Sequence, residues 1–352
     1  MINPAIIFNE QAIIPQLVRI LSFTSISFIA AFAVTPIYTF FAYKYQWWKQ
    51  PRETIMGVSG EKAAVYSSLH AAKHKRNIPT MAGIIIWGVV GVITLLFNFD
   101  KAQTLLPVFT LIFVGLLGII DDYINIRSTG GIAGLRAKVK FSWLTGFAIL
   151  GAWWFYAKLG WSVVHIPMFG DISLGWLYIP LFVIVVVSTA SAVNITDGLD
   201  GLSGGLLSAS FGAYAIIAFF QGNFGIAAFC GTIMGAALAY TWFNIYPARF
   251  FMGDTGAVAL GATLGVVAML TNTALVLPII GLVFVVETMS DIVQIASKKL
   301  RHGKKVFHSA PLHHHLEAMG WPETKVTMRF WIIGAISAFV GVVVALIGSG
   351  VN

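Results

Sequence analysis

The sequence predicts an all-α polytopic membrane protein of about ten transmembrane helices, and three observations predict it. Of 352 residues, 58% are hydrophobic and 10% are charged, with a mean hydropathy of +0.83. A soluble domain carries about 25% charged residues. The apolar residues are gathered into runs near the ~20 residues that cross a bilayer. Nineteen of the 22 Lys and Arg fall on one set of alternate loops, the asymmetry that orients membrane proteins.

The first run, 17–41, follows a stretch, MINPAIIFNEQAIIPQLVRI, without the basic n-region and small-residue cleavage site of a signal peptide. It is therefore expected to stay as a span. Runs 80–99 and 104–120, with GVITLLF and FVGLLGII, show no amphipathic period, as suits helices surrounded by lipid and by other helices. Runs 141–157 and 174–193 flank KLGWSVVHIPMFGDISLGW (158–176), whose alternating apolar residues suit a short hairpin. Runs 203–221, 225–243 and 255–271 share in the chain's 35 glycines, which let helix backbones approach closely. Only TNT separates the eighth run from the ninth, 274–297, and the tenth is 328–348. The whole chain, 1–352, reads as one integral membrane domain. Cys230, the single cysteine, excludes an intramolecular disulfide.

Segment 42–79 holds seven Lys and Arg, 121–140 four, 243–254 only Arg249, and 298–329 seven. Positive charge stays on the cytoplasmic side. Those four loops, and the turn DGLDG between the fifth and sixth spans, are therefore expected to face the cytoplasm, with both termini outward. Among only fourteen acidic residues, Asp121, Asp122, Asp197, Asp200 and Asp254 all fall at cytoplasmic ends of apolar runs. Any one of them reads equally well as a solvated boundary residue or helix cap. Five on one face read as a site. Clustered carboxylates raise one another's pKa unless a cation compensates, and Mg²⁺ takes oxygen ligands while bridging to substrate phosphates. A carboxylate–Mg²⁺ centre walled by basic loops at a membrane surface points to phosphoryl transfer between a soluble and a lipid substrate. A cation transporter is the reading from another class. It predicts charges at mid-bilayer on several helices; here only Glu287 and Asp291 qualify, and no internal repeat supports two inverted halves.

The motifs GIIDDY, AVNITDGLDGL, WFNIYPARFFMGDTGAVALG, VFVVETMSDIVQ and APLHHHLEAMGWPETKVTMRFWII resemble, in order and over essentially the whole chain, the phospho-N-acetylmuramoyl-pentapeptide transferase family. The aspartate motifs are shared with the wider superfamily of polyprenyl-phosphate N-acetylhexosamine-1-phosphate transferases, and APLHHHLE narrows the match. The resemblance implies a Mg²⁺-dependent enzyme of the bacterial inner membrane. Its expected partners are UDP-N-acetylmuramoyl-pentapeptide, undecaprenyl phosphate, the lipid bilayer and a second copy in a homodimer, with no nucleic acid. A sister enzyme acting on UDP-N-acetylglucosamine is the nearest alternative.

The resemblance also implies residue roles. Asp121 takes the proton from the polyprenyl phosphate or orients it. Asp122 supports the metal or the second substrate, and Asp254 holds Mg²⁺ or acts as a covalent nucleophile. Direct attack by the lipid phosphate is the favoured route, because a phosphate oxygen is already an adequate nucleophile. Asn194, Asp197, Asp200, Asn244 and Phe251 line the nucleotide cleft, with Phe251 placed to stack on uracil. His313 and His314 contact phosphate or uridine, His315 orients them, and Gln294 is a further substrate-binding candidate. Three consecutive histidines cannot all point one way on a helix, so a three-His metal site is not expected. Lys75, Lys140 and Arg249 are the basic candidates for phosphate. The chain departs from the family pattern at Asn77 and Ile78 in NIPTMAG, at Asn125 and at Ser191. Against that pattern, Ile78 lacks a hydroxyl expected to contact the nucleotide and Asn125 lacks a cation expected near the phosphates, while every aspartate of the motifs is in place.

Overall fold

A computed structural model describes residues 10–48, 77–127, 135 and 137–348. Each of the ten apolar runs is helical within it. They form α1 (Glu10–Lys44), α2 (Gly83–Phe97), α3 (Leu105–Arg127) and α4 (Ala137–Trp153), the last continuing through a single π turn, Trp154–Lys158. Then come α5 (Tyr178–Thr196), α6 (Leu202–Phe220), α7 (Phe224–Asn244) and α8 (Asp254–Leu270). The ninth run is split into α9 (Leu277–Ile280) and α10 (Leu282–Leu300). A short α11 (Leu312–Ala318) precedes α12 (Glu323–Gly348).

Six of these helices are long and apolar enough to cross a membrane: α1, α3, α5 with the 3-10 turn before it, α6, α7 and α12. The chain is accordingly a mostly helical, polytopic membrane protein. Helices α2 and α8 are apolar but have only 15 and 17 residues, short of the ~20 that span a bilayer. Lys138 and Lys140 open α4. From residue 287 onward, the residues of α10 facing the protein are Glu287, Ser290, Gln294 and Ser297, after the apolar Val283 and Phe284 in its first turn, while Met289, Ile292 and Val293 face out. Such an inverted pattern, polar inward and apolar outward, suits a helix on the rim of a bundle in lipid. Pro278 and Gly281 account for the break in the ninth run, since proline starts a helix easily and glycine interrupts one.

The hairpin forms as the alternation predicts. Strands β1 (Val163–Ile166) and β2 (Gly170–Ser173) pair antiparallel, with His165 opposite Asp171. His165 Nδ1 lies 2.6 Å from Asp171 Oδ1, and Nε2 lies 2.9 Å from the Gly348 carbonyl oxygen. The pair thus ties the hairpin to the C-terminal end of α12.

The core is organised around α8, almost every residue of which is buried. Its neighbours approach it through missing side chains. A Cβ on Gly261 would lie 2.7 Å from the Ala190 Cα on α5, and one on Gly118 of α3 would lie 2.5 Å from the Asp254 carbonyl oxygen. Backbone therefore packs on backbone, as small residues permit in membrane bundles. The Gly118 contact has a direct consequence, because it presses the end of α3 that carries Asp121 and Asp122 onto the start of α8, which carries Asp254.

Candidate active site

Helix α8 begins at Asp254, behind Gly253. A carboxylate in a helix's first turn is favoured by the positive end of the macrodipole. Asp122 reinforces the same terminus from α3: its Oδ2 accepts from the Thr255 backbone N–H at 2.9 Å and from the Thr255 hydroxyl at 2.8 Å. A fully buried carboxylate thereby caps a helix in another part of the chain. Asp121, adjacent in sequence, turns its carboxylate elsewhere. Its Oδ1 accepts from the Leu135 N–H at 2.6 Å, and its Oδ2 lies 2.5 Å from the Lys140 ammonium. Lys140 bridges across to Asp254 Oδ2, to which it donates.

Asp121, Asp122 and Asp254 each offer an oxygen within 4.8 Å of the others. One ammonium offsets only part of the repulsion among three carboxylates. An all-oxygen donor set of this charge fits a hard divalent cation, which favours one or two carboxylates together with substrate phosphates.

This polar centre forms one wall of a cavity of about 770 Å³. Asp121, Lys140, Asp254 and Asn194 line it together with Val114, Leu117, Phe141, Leu144 and Val258. Charge thus sits beside a predominantly apolar chamber. Ser191 also lines it, with its hydroxyl donating to the Val187 carbonyl at 2.8 Å.

The other predicted site residues are placed in three groups. Asp197 and Asp200 bound the turn between α5 and α6. Asp197 accepts from the Ser203 hydroxyl, and Asp200 Oδ2 accepts from the Ala248 N–H at 2.9 Å. Asn244 accepts from the Gly201 N–H at 2.9 Å and donates to the Phe250 carbonyl at 2.8 Å. These residues bind the 197–201 turn to the 244–250 segment. Helix α12 clamps the same turn: Glu323 accepts from the Asp200 N–H at 2.6 Å, and the Trp331 indole donates to the Gly201 carbonyl at 3.1 Å. Phe251 is half-buried. Its N–H donates to the Pro79 carbonyl, and its carbonyl accepts from the Ala82 N–H. The NIPTMAG segment is thus stitched to the irregular segment that leads into Gly253. Arg249 lies over the Phe243 ring at 5.7 Å and lines a separate surface recess with Lys44.

The three histidines of α11 take three different partners, as their helical spacing requires. His313 meets Glu287 at 2.9 Å, His314 meets Glu317 at 2.8 Å, and His315 Nδ1 accepts from the His308 N–H at 3.1 Å. Gln294 uses both ends of its amide on the 306–307 backbone. Lys75 lies outside the described residues.

Sequence reasoning missed Thr255, Leu135 and the apolar chamber. Thr255 has a local signal, a hydroxyl residue at the start of an apolar helix. The chamber has none, since its walls come from α3, α4, α5 and α8.

Fold and site together define a polytopic membrane protein whose carboxylate–lysine centre opens onto an apolar cavity. Residues 104–272 match the model of glycosyl transferase family 4. A phospho-N-acetylmuramoyl-pentapeptide-transferase of Chloroflexus aggregans is 42% identical over 287 residues, covering 78% of each chain. The enzyme of that name from Syntrophus aciditrophicus is 41% identical over 76% of this chain and 80% of its own. One from a Geobacillus species is 42% identical over 76% and 84%. The chain belongs to the phospho-N-acetylmuramoyl-pentapeptide-transferase family.

Proposed function

We propose that this protein transfers phospho-N-acetylmuramoyl-pentapeptide from UDP-N-acetylmuramoyl-pentapeptide to undecaprenyl phosphate in the bacterial inner membrane. The products are the first lipid-linked peptidoglycan precursor and UMP. One observation carries this reading: Asp121, Asp254 and Lys140 line an apolar cavity of about 770 Å³, with the third carboxylate of the centre, Asp122, buried beside them. A polyprenyl phosphate needs both environments within one molecule's reach, an apolar chamber for its chain and a charged centre for its head.

An oxygen of undecaprenyl phosphate bonds to the sugar-bearing phosphorus as the bond from that phosphorus to the bridging oxygen breaks. UMP leaves with that oxygen. Little covalent chemistry is asked of the protein, so positioning and charge neutralisation dominate. Lys140 spans Asp121 and Asp254 and supplies positive charge where the phosphates converge. Asp121, which lines the cavity, takes the proton of the acceptor phosphate or orients that phosphate. Asp122 and Asp254, with Asp121 beside them, are the residues to hold Mg²⁺. When bound, Mg²⁺ would offset the negative charge of the substrate phosphates. Asn194 and Phe251, with His313 and His314, are assigned to the nucleotide side. Lys75, Asp197, Asp200, Asn244, Gln294 and His315 complete the proposed substrate-binding set, the buried ones by holding the turns on which it rests.

The reading includes ten spans with both termini outward and the acidic centre at the cytoplasmic face. The alternate-loop placement of Lys and Arg supports it. A homodimer packed through membrane helices is part of the same proposal. Helix α1, with 17% of its apolar window buried, offers surface for lipid or a second copy.

The direct test is UMP release by purified protein in detergent, with UDP-N-acetylmuramoyl-pentapeptide and undecaprenyl phosphate, with Mg²⁺ or with EDTA. Release that requires lipid and Mg²⁺ is expected. Release only from UDP-N-acetylglucosamine would move the chain to the sister activity, and silence with both donors would sink the proposal. The cavity has its own test. Leu117→Trp narrows the chamber, and losing the burial of about two CH₂ groups of the chain corresponds to about a tenfold rise in KM. That rise is expected for undecaprenyl phosphate alone. An equal rise for the nucleotide donor would assign the cavity to the wrong substrate.

A further inference from the structure

His313 and Glu287 are both wholly buried and make a pair that the transfer reaction, as described so far, does not explain. Glu287 Oε2 lies 2.9 Å from His313 Nδ1. The same carboxylate accepts from the His313 backbone N–H, at 3.2 and 3.3 Å to its two oxygens. An ionised carboxylate only accepts hydrogen bonds, so Nδ1 must carry the proton. The other ring nitrogen, Nε2, is buried and has no hydrogen-bond partner among the described residues. It lies against Gly198, where a Cβ would run into it. Leaving a buried polar atom unsatisfied is costly, and such an atom in a native structure calls for an explanation. A purely structural pin between α10 and α11 needs only the backbone contact to Glu287.

The geometry points to Glu287 as a positioning residue that fixes His313 in the Nδ1–H tautomer. Nε2 is thereby presented as an acceptor, beside the 197–201 turn, for a donor group of the nucleotide. The inference rests on the function proposed above and refines it: His313 serves recognition of the nucleotide, and Glu287 decides which nitrogen it offers. The logic is that of a carboxylate orienting an imidazole so that its far nitrogen faces the ligand.

Ring-nitrogen NMR of histidine-labelled full-length protein in detergent reads the tautomer directly, with the His313 signal assigned by its loss in His313→Asn. Wild type is expected to show Nδ1 protonated and Nε2 bare. In Glu287→Gln, whose amide can donate to Nδ1, the proton is expected to move to Nε2. Calorimetric titration with UMP is the second readout. Kd is expected to rise about tenfold in Glu287→Gln and in His313→Asn, with no further rise in the double variant. In turnover, the same change should appear in KM for the nucleotide rather than in kcat. A wild-type His313 protonated only at Nε2, or Kd changes that multiply in the double variant, would overturn the inference. Should Glu287→Gln not fold, the wild-type tautomer still decides. Failure of the transfer reaction would show separately, as no UMP release by wild type.

Discussion

Asp254→Asn is expected to reduce UMP release on the order of 10³-fold, the scale seen when one preorganised charge-stabilising group is removed from a closed site. The substitution keeps the side chain's size and removes its charge. It neutralises one of three carboxylates whose oxygens lie within 4.8 Å of one another, and one of the two that Lys140 bridges. The amide can still accept from Lys140 through its one oxygen but carries no charge, so Lys140 is expected to pair chiefly with Asp121. Stability should change far less. The loss of charge in the first turn of α8 is worth roughly 0.3–1 kcal/mol at such a position, and Asp122 still caps Thr255. The measurement is UMP release across a Mg²⁺ titration, beside a thermal melt. Activity within tenfold of wild type, with the melt unchanged, would remove Asp254 from the reacting centre.

The importance of Asp254 is legible in the sequence itself, because DD at 121–122 and MGDTG around 254 carry charge where an apolar helix would exclude it. The helical runs are legible for a related reason: hydropathy is a sum over ~20 residues, and single errors average out. How the five acids divide is not legible from composition or spacing; only the family resemblance separates them. In the chain, Asp197 and Asp200 look like Asp121 and Asp122. In space, Asp200 Oδ2 holds the Ala248 N–H, and Asp197 accepts from Ser203, so the pair organises a turn while the others form the centre. Spacing gives the face of a helix, but not which distant backbone amide will meet it.

Gln294 and Glu287 carry the same lesson. Both lie on the inward face of α10, at positions 287, 290, 294 and 297, a helical period visible in VETMSDIVQIAS. The period announces a buried polar face. It does not say that Gln294 would spend its whole amide on the 306–307 backbone, or that Glu287 would meet a histidine 26 residues further on. The break of the ninth run at Gly281 is present in the sequence as Pro278 and Gly281, yet the apolar residues on either side hide it from a hydropathy count.

Gly253→Ala is expected to lower UMP release by on the order of 10²-fold through geometry alone, with no functional group removed. Gly253 has φ +71° and ψ 176°, a region essentially reserved for glycine, where a side chain costs of order 1–3 kcal/mol. A Cβ there would also run into Asp122 Oδ2, and it would lie 2.7 Å from Thr80 Oγ1 and 3.0 Å from the Met81 N–H. Asp122 cannot retreat without loosening its two bonds to Thr255, and those bonds set the start of the helix that carries Asp254. A displacement near 1 Å at a reacting centre can cost about 10²-fold. Gly160 supplies the control: its φ is +68°, it precedes the hairpin, and nothing lies within 4 Å of a Cβ built on it. Gly160→Ala therefore carries the strain without the collision. It should lower the melting temperature and leave UMP release within a few-fold of wild type. If both variants lose activity together, backbone strain and instability explain the loss, and the Asp122–Thr255 anchor does not set the geometry of the centre. If Gly253→Ala alone loses it, the position of Asp122 is what the glycine protects.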